Sequence, residues 1–324
     1  MAQGVLSYND HLRYFARRLL FLALIGLIFA GCGRVAGPNA AAPADETNSG
    51  SSSTSADETF IPILAASELS VGVNRLPLGI LRNGAPLNDP DLTLHLRYSY
   101  LDGTDQTAVQ GETDAVYRGE GLPVGLYVAY ATLDKPGGWS LEVEIPRPDG
   151  ESQTKRIRLD VIEQSRIPNV GSPAIPSKNL TINDVPDIGQ ISTDTRPDPD
   201  LYKLNVADAI AANKPFLVAF STPGYCRTAV CGPNLQVIKQ LKDDFQGQVN
   251  FIHVEVYPYP FSESVQQQRH VPAMSAWNLV TEPWTFLVDG NGIIQARYEG
   301  GITFTELEPA LRQLAAGEPV TPQT

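Results

Sequence analysis

The sequence predicts two folded halves of different class, an all-β sandwich over residues 60–166 and an α/β domain over residues 201–318. Three observations predict this. The first half is filled with short runs in which apolar and polar residues alternate, the period of a strand with one face buried. The second half alternates continuous apolar runs with segments of helical period, the texture of a sheet covered on both faces. Between them, residues 167–200 carry Ile167-Pro168, Ser172-Pro173, Ile175-Pro176, Val185-Pro186, Arg196-Pro197 and Asp198-Pro199, which leave no room for a regular element. That stretch reads as a linker packed along one of the domains, and a fragment from about residue 200 onward is expected to fold alone.

At 324 residues and 42% hydrophobic content the chain can fill both cores. Its net charge of −12 excludes nucleic acid as a partner, because phosphate binding needs a basic surface.

Ahead of both halves, Arg13, Arg17 and Arg18 precede the apolar run Leu19 to Ala30. The run is short for a bilayer span and right for the core of a signal peptide. It closes on Phe29-Ala30-Gly31-Cys32, which resembles the lipobox of bacterial lipoproteins, although Phe29 stands where Leu is usual. The resemblance implies removal of residues 1–31, a lipid on Cys32, and a place on the outer face of the bacterial cytoplasmic membrane. An uncleaved anchor or an ordinary secretory signal is the alternative. Residues 32–59, small and polar with no apolar period, read as a flexible tether. The chain has three cysteines, and with Cys32 lipidated the other two have only each other in a disulfide-permissive compartment.

In the β half, Leu92 to Tyr98, Leu126 to Ala131, Leu141 to Ile145 and Arg156 to Val161 are the candidate strands. Asn83-Gly84, Asp102-Gly103, Gly137-Gly138 and Asp149-Gly150 are the candidate turns. Regular strands with no helical stretch imply an immunoglobulin-like sandwich. Residues Asp134 to Val143 resemble the YtkA-like modules of exported bacterial proteins, some of which are linked with copper. This half offers His95 alone for such a role, and a single histidine on an alternating strand reads as a surface residue.

In the α/β half, Asn205 caps a helix from Val206 to Ala212 and Phe216 to Phe220 is a strand buried on both faces. A loop with Cys226 and Cys231 follows, then a helix from Pro233 to Phe245 that ends at Gly247. Val249 to Val256 is a second strand. Trp284 to Val288 and Ile293 to Tyr298 form a hairpin around Asp289-Gly290-Asn291-Gly292, and Thr305 to Ala316 is the last helix. Phe216 to Ser221, Cys226 to Pro233 and Glu282 to Asp289 together resemble the thioredoxin superfamily, in the order that fold requires. The resemblance implies a thioredoxin fold, a cysteine pair that exchanges disulfides with other proteins, and a cis bond at Glu282-Pro283 where substrate backbone pairs. The loop departs from the family, with four residues between its cysteines where thioredoxins have two and the copper-chaperone branch has three.

Thiolate is the reactive form of cysteine, and a helix N-terminus stabilises it. Counting along the chain from the helix makes Cys231 the attacking thiol and Cys226 the resolving one. Counting from the preceding strand reverses the roles, and the helix count is preferred because the stabilisation fades within about one turn of the helix end. The leading function is a membrane-anchored thiol–disulfide oxidoreductase of exported proteins, working through Cys226, Cys231 and Pro283. It needs no cofactor, only a redox partner protein. The alternatives are a copper-delivery protein that binds Cu(I) through Cys226, Cys231 and His270, and a binding module with a structural disulfide.

Overall fold

The computed structural model describes residues 58–322 apart from residue 148. The signal segment, Cys32 and nearly all of the tether lie outside these residues. Among the described residues no helix is long and apolar enough to cross a membrane.

The first half consists of β1 (Phe60–Leu64), β2 (Leu69–Ser70), β3 (Gly72–Arg82), β4 (Ala85–Pro86), β5 (Leu94–Tyr100), β6 (Val109–Tyr117), β7 (Tyr127–Leu133), β8 (Gly137–Pro146) and β9 (Ser152–Ile162). They join in one nine-stranded sheet of order β1-β3-β7-β6-β5-β8-β9-β2, with β4 paired to β3. The sheet curls into a half-barrel because β6 turns a corner. It pairs with β5 from Val109 to Ala115 and passes to β7 for Val116 and Tyr117 alone. Alternation along the strands then aims one set of side chains inward. Leu76, Leu78, Leu94, Leu96, Ala129, Leu141 and Val143 share a single core. Fully buried Trp139 packs there on Tyr98 and Tyr100, with ring centroids 6.1 and 5.2 Å away. His95 points outward between Asp114 and Glu112, at 2.9 and 3.0 Å.

Two departures from the sequence pattern have local causes. Strand β3 was hidden by Pro77 and Gly79, poor strand residues that here pair with Val128 of β7 and Ile63 of β1 respectively. Gly137-Gly138, expected as a turn, instead opens β8. The Gly138 N–H is held by the Asp102 carboxylate at 2.7 Å, and Gly137 takes the left-handed φ of 119°.

The second half runs α1 (Val206–Ala211), β10 (Phe216–Ser221), α2 (Cys231–Asp244), β11 (Asn250–Glu255), α3 (Phe261–Gln266), α4 (Pro272–Ala276), β12 (Trp284–Val288), β13 (Ile294–Glu299) and α5 (Phe304–Ala316). Its sheet has the order β11-β10-β12-β13, with β11 parallel to β10 and the other neighbours antiparallel. Every residue of β10 is buried. Phe216, Val218 and Phe220 face one core with Trp277, Trp284 and Phe286. Leu217 and Ala219 face the other with Leu235, Ile238, Leu307 and Leu311. A continuous apolar run is what such a strand demands. Helices α3 and α4, of six and five residues, are too short to show a period in the sequence. Helix α2 begins at Cys231, two residues ahead of the expected Pro233.

The proline-rich segment packs on this second half without becoming regular. Ile167 and Ala174 enter one core and Ile191 the other. Ala174 N donates to the Gly292 carbonyl at 2.8 Å, and Ile294 N to that of Ser172 at 3.0 Å. The two halves also grip each other directly. Arg75 of β3 meets Glu306 of α5 through Nε–Oε1 at 2.7 Å and Nη2–Oε2 at 2.8 Å, and donates to the carbonyls of Glu299 and Gly301 at 2.9 and 2.8 Å. Tyr130 donates to Glu306 Oε1 at 2.9 Å. Both charges are withdrawn from water, so each depends on the other.

Candidate active site

Strand β10 delivers the chain into the loop Thr222 to Val230, and α2 leads it out. Cys226 and Cys231 are joined in a disulfide with Cα atoms 6.0 Å apart. Ala229, at a left-handed φ of 59°, turns the loop back on itself before the helix.

The two sulfurs are not equivalent. Cys231, the first residue of α2, is 0% exposed, whereas Cys226 is partly open to solvent. The Cys231 N–H, one of the donors a helix start leaves without an internal partner, donates to Cys226 Sγ at 3.3 Å. The Thr228 hydroxyl lies 3.3 Å from the same sulfur. Sequence distance had assigned the helix end's influence to Cys231. In the fold the loop brings Cys226 in front of the first turn while Cys231 is buried within it.

The partner of Cys231 comes from the other side. Glu282 Oε2 stands 2.9 Å from Cys231 Sγ. A sulfur in a disulfide carries no proton, so the carboxyl O–H is the donor of this contact. The carboxyl is suited to hold that proton. Burial first, and the charge of Glu255 second, push its pKa up to about 7 against the pull of Arg227. Glu282 precedes Pro283 across a cis bond, and the Pro283 carbonyl accepts from Gly300 N at 2.9 Å. Sequence reasoning named Pro283 and passed over Glu282. The available signal was a carboxylate beside the proline expected to face the cysteines.

Glu255, at the end of β11, is held by Thr193, whose N–H and hydroxyl donate to Oε2 at 2.8 and 2.6 Å. Burial raises its pKa as well. Thr193 Oγ1 also accepts from Gly224 N at 2.9 Å, so the linker braces the start of the cysteine loop.

Neither remaining histidine of this half joins the sulfurs. His253 is buried with its ring nitrogens against Tyr202 at 2.7 Å and Ser221 at 2.8 Å, and burial lowers its pKa to about 4. His270 is exposed and packs on Tyr257 at 5.1 Å. Among the described residues, the ligand-type atoms within 4.8 Å of one another come from Cys226, Cys231 and Glu282.

A buried sheet with a disulfide at the start of the following helix and a cis-proline strand beside it coincides with a match to the family described as thioredoxin-like domain, over residues 202–315. Residues 202–315 form a thioredoxin-like domain. Similar solved structures include a thiol:disulfide interchange protein of the thioredoxin family from Chlorobium tepidum TLS. It is 13% identical, over 47% of this chain and 99% of its own, with a TM-score of 0.31. A thioredoxin-like protein in its oxidised form is 18% identical over 32% of this chain and 80% of its own, TM-score 0.25. The fibronectin type-III domain of human fibronectin type III domain containing protein 3 is 12% identical over 37% and 96%, TM-score 0.21. Likeness at this level carries no conclusion about what this chain does. No curated protein matches the chain.

Proposed function

We propose that the chain is a thiol–disulfide oxidoreductase of exported proteins, held outside the cytoplasmic membrane by a lipid on Cys32. The observation that carries the reading is the asymmetry of the disulfide: one sulfur within reach of a client, the other buried against a carboxyl that can give up a proton. A client thiolate attacks Cys226 Sγ and forms a mixed disulfide. The bond to Cys231 breaks, and Cys231 leaves with the electron pair and takes the proton of Glu282. A second client thiolate then displaces Cys226, and the client departs oxidised while the protein holds two thiols. The same steps reversed reduce a client disulfide, with ionised Glu282 removing the Cys231 proton. A redox partner protein restores the starting state, and no cofactor takes part.

The roles are tested with single cysteines. In Cys231→Ser, Cys226 should react with an alkylating reagent at lower pH than Cys231 does in Cys226→Ser, and should accumulate as a mixed disulfide with a client peptide that carries a disulfide, whose second sulfur leaves as a thiol. Faster reaction of Cys231 in the folded protein would reverse the roles. Anchoring has its own test: Cys32→Ala should move the protein from the membrane fraction to unprocessed or soluble material, and an unchanged distribution would refute the lipoprotein reading.

Copper delivery is the less favoured reading. The third ligand-type atom beside the sulfurs is a carboxylate oxygen, a hard donor that suits Cu(I) poorly. The β half is read as an immunoglobulin-like module whose two layers share β6 at their corner. One unbroken barrel wall, with no change of pairing along β6, would remove that classification.

A further inference from the structure

The residue just before the buried cysteine does not pack within the thioredoxin-like domain. Val230, 6% exposed, sits in a cluster with Leu122, Leu126 and Val128 of the β half, and Tyr130 lies against them. Leu122 and Leu126 belong to the turn between β6 and β7, and Val128 and Tyr130 to β7. The fit is close. A Cβ on Gly301, in the neighbouring stretch of the thioredoxin-like domain, would lie 2.7 Å from Leu122 Cδ1. Val230 is also the cap position of α2, with no side-chain capping bond of its own. Its carbonyl accepts from Asn234 N at 2.9 Å, and the Asn234 side chain is bonded to Gly300 O and Ile302 N at 2.8 and 3.0 Å. Arg75 of the β half reaches the carbonyls of Glu299 and Gly301 on either side of Gly300. The helix that carries Cys231 and the β half are thus fastened to the same short stretch of backbone, and Val230 is a second fastening between them.

We propose that the β half is a working part of the redox site, in which the Leu122, Leu126 and Val128 pocket holds Val230 and so keeps Cys226 and Cys231 at pairing distance when they are reduced. This deepens the oxidoreductase reading and rests on it. An apolar contact that fixes the loop in both redox states keeps the effective concentration of one thiol at the other high, which favours the disulfide. Val230 and Leu126 are positioning residues, since each acts on the sulfurs through the packing of the loop.

The test is equilibration of the full chain with glutathione, in which the protein disulfide and two glutathione thiols exchange with the protein dithiol and glutathione disulfide. Leu126→Ala lies in the β half and leaves the cysteine loop's sequence intact. It should move the equilibrium about tenfold toward the dithiol, which is about 30 mV for this two-electron couple. Val230→Ala should do the same, and the double variant should add little to either, because both remove one contact. An equilibrium unchanged within about twofold in cooperatively folding variants, or one moved toward the disulfide, would overturn the proposal while leaving the oxidoreductase reading intact. If Leu126→Ala does not fold, Val230→Ala decides alone. A wild-type disulfide that never equilibrates with glutathione removes both readings.

Discussion

Glu282 connects the chemistry of a single side chain to the pH response of the protein. Its folded pKa of about 7 stands above the ordinary 4.5, so the fold prefers the carboxyl protonated. The stability this group contributes is therefore complete below about pH 4.5 and is lost as pH rises through 7. In the proposed exchange the same proton serves the leaving Cys231, so the exchange rate should have a matching dependence. With the client's thiolate fraction divided out, the rate constant for attack on the disulfide should fall as pH passes through about 7. In Glu282→Gln the neutral amide cannot transfer a proton. The corrected profile should be flat and low, and thermal stability between pH 4.5 and 7 should lose this group's slope. A wild-type profile that is flat after correction would remove Glu282 from the proton path. Glu255 and Arg227 face the same group with opposite signs, so their substitutions should move the midpoint in opposite directions.

At the scale of elements, legibility in the sequence followed the length and burial of each piece. Strand β10 is a run of six buried residues, and nothing but a central strand has that pattern. Helix α5, thirteen residues with an apolar stripe and Gly317 beyond its end in the left-handed region, is as plain. Strand β6 was invisible because only Ala115 of it is buried and its sequence, Val109-Gln110-Gly111-Glu112-Thr113-Asp114, has no apolar alternation. The site divided in the same way. Both cysteines and Pro283 were readable, because a loop between a strand and a helix is a local motif. Glu282, Glu255 and Val230 were not, because their roles come from contacts across 51, 62 and more than 100 residues of chain that no local window spans. The different surroundings of the two sulfurs were hidden for a related reason. Distance along the chain stood in for distance in space, and a tight loop with Ala229 at positive φ separates the two.

For the whole molecule, the joint between the halves hangs on a pair of buried charges. Replacing Arg75 with Met would leave Glu306 without its cation inside the protein, a loss of about 3–5 kcal/mol in global stability. The double variant Arg75→Met, Glu306→Leu removes both charges and should recover much of that loss. Chemical denaturation of the three proteins measures the difference, and equal stability of wild type and Arg75→Met would mean that the pair is not what holds the halves. The packed linker alters how the halves can be divided. Ile167, Ala174 and Ile191 complete the cores of the thioredoxin-like domain, so a fragment that begins at residue 200 lacks part of its own interior.

That packing has a consequence wherever the chain meets a protease. Residues 167–200 have the composition of a cleavable connector, polar and broken by proline. A protease, however, must draw several residues of free, extended chain into its cleft, and here the backbone is bonded to Gly292 and Ile294 while Thr193 is fixed to Glu255. The segment that appears weakest in the sequence is therefore shielded, and digestion meets the two halves as a single body.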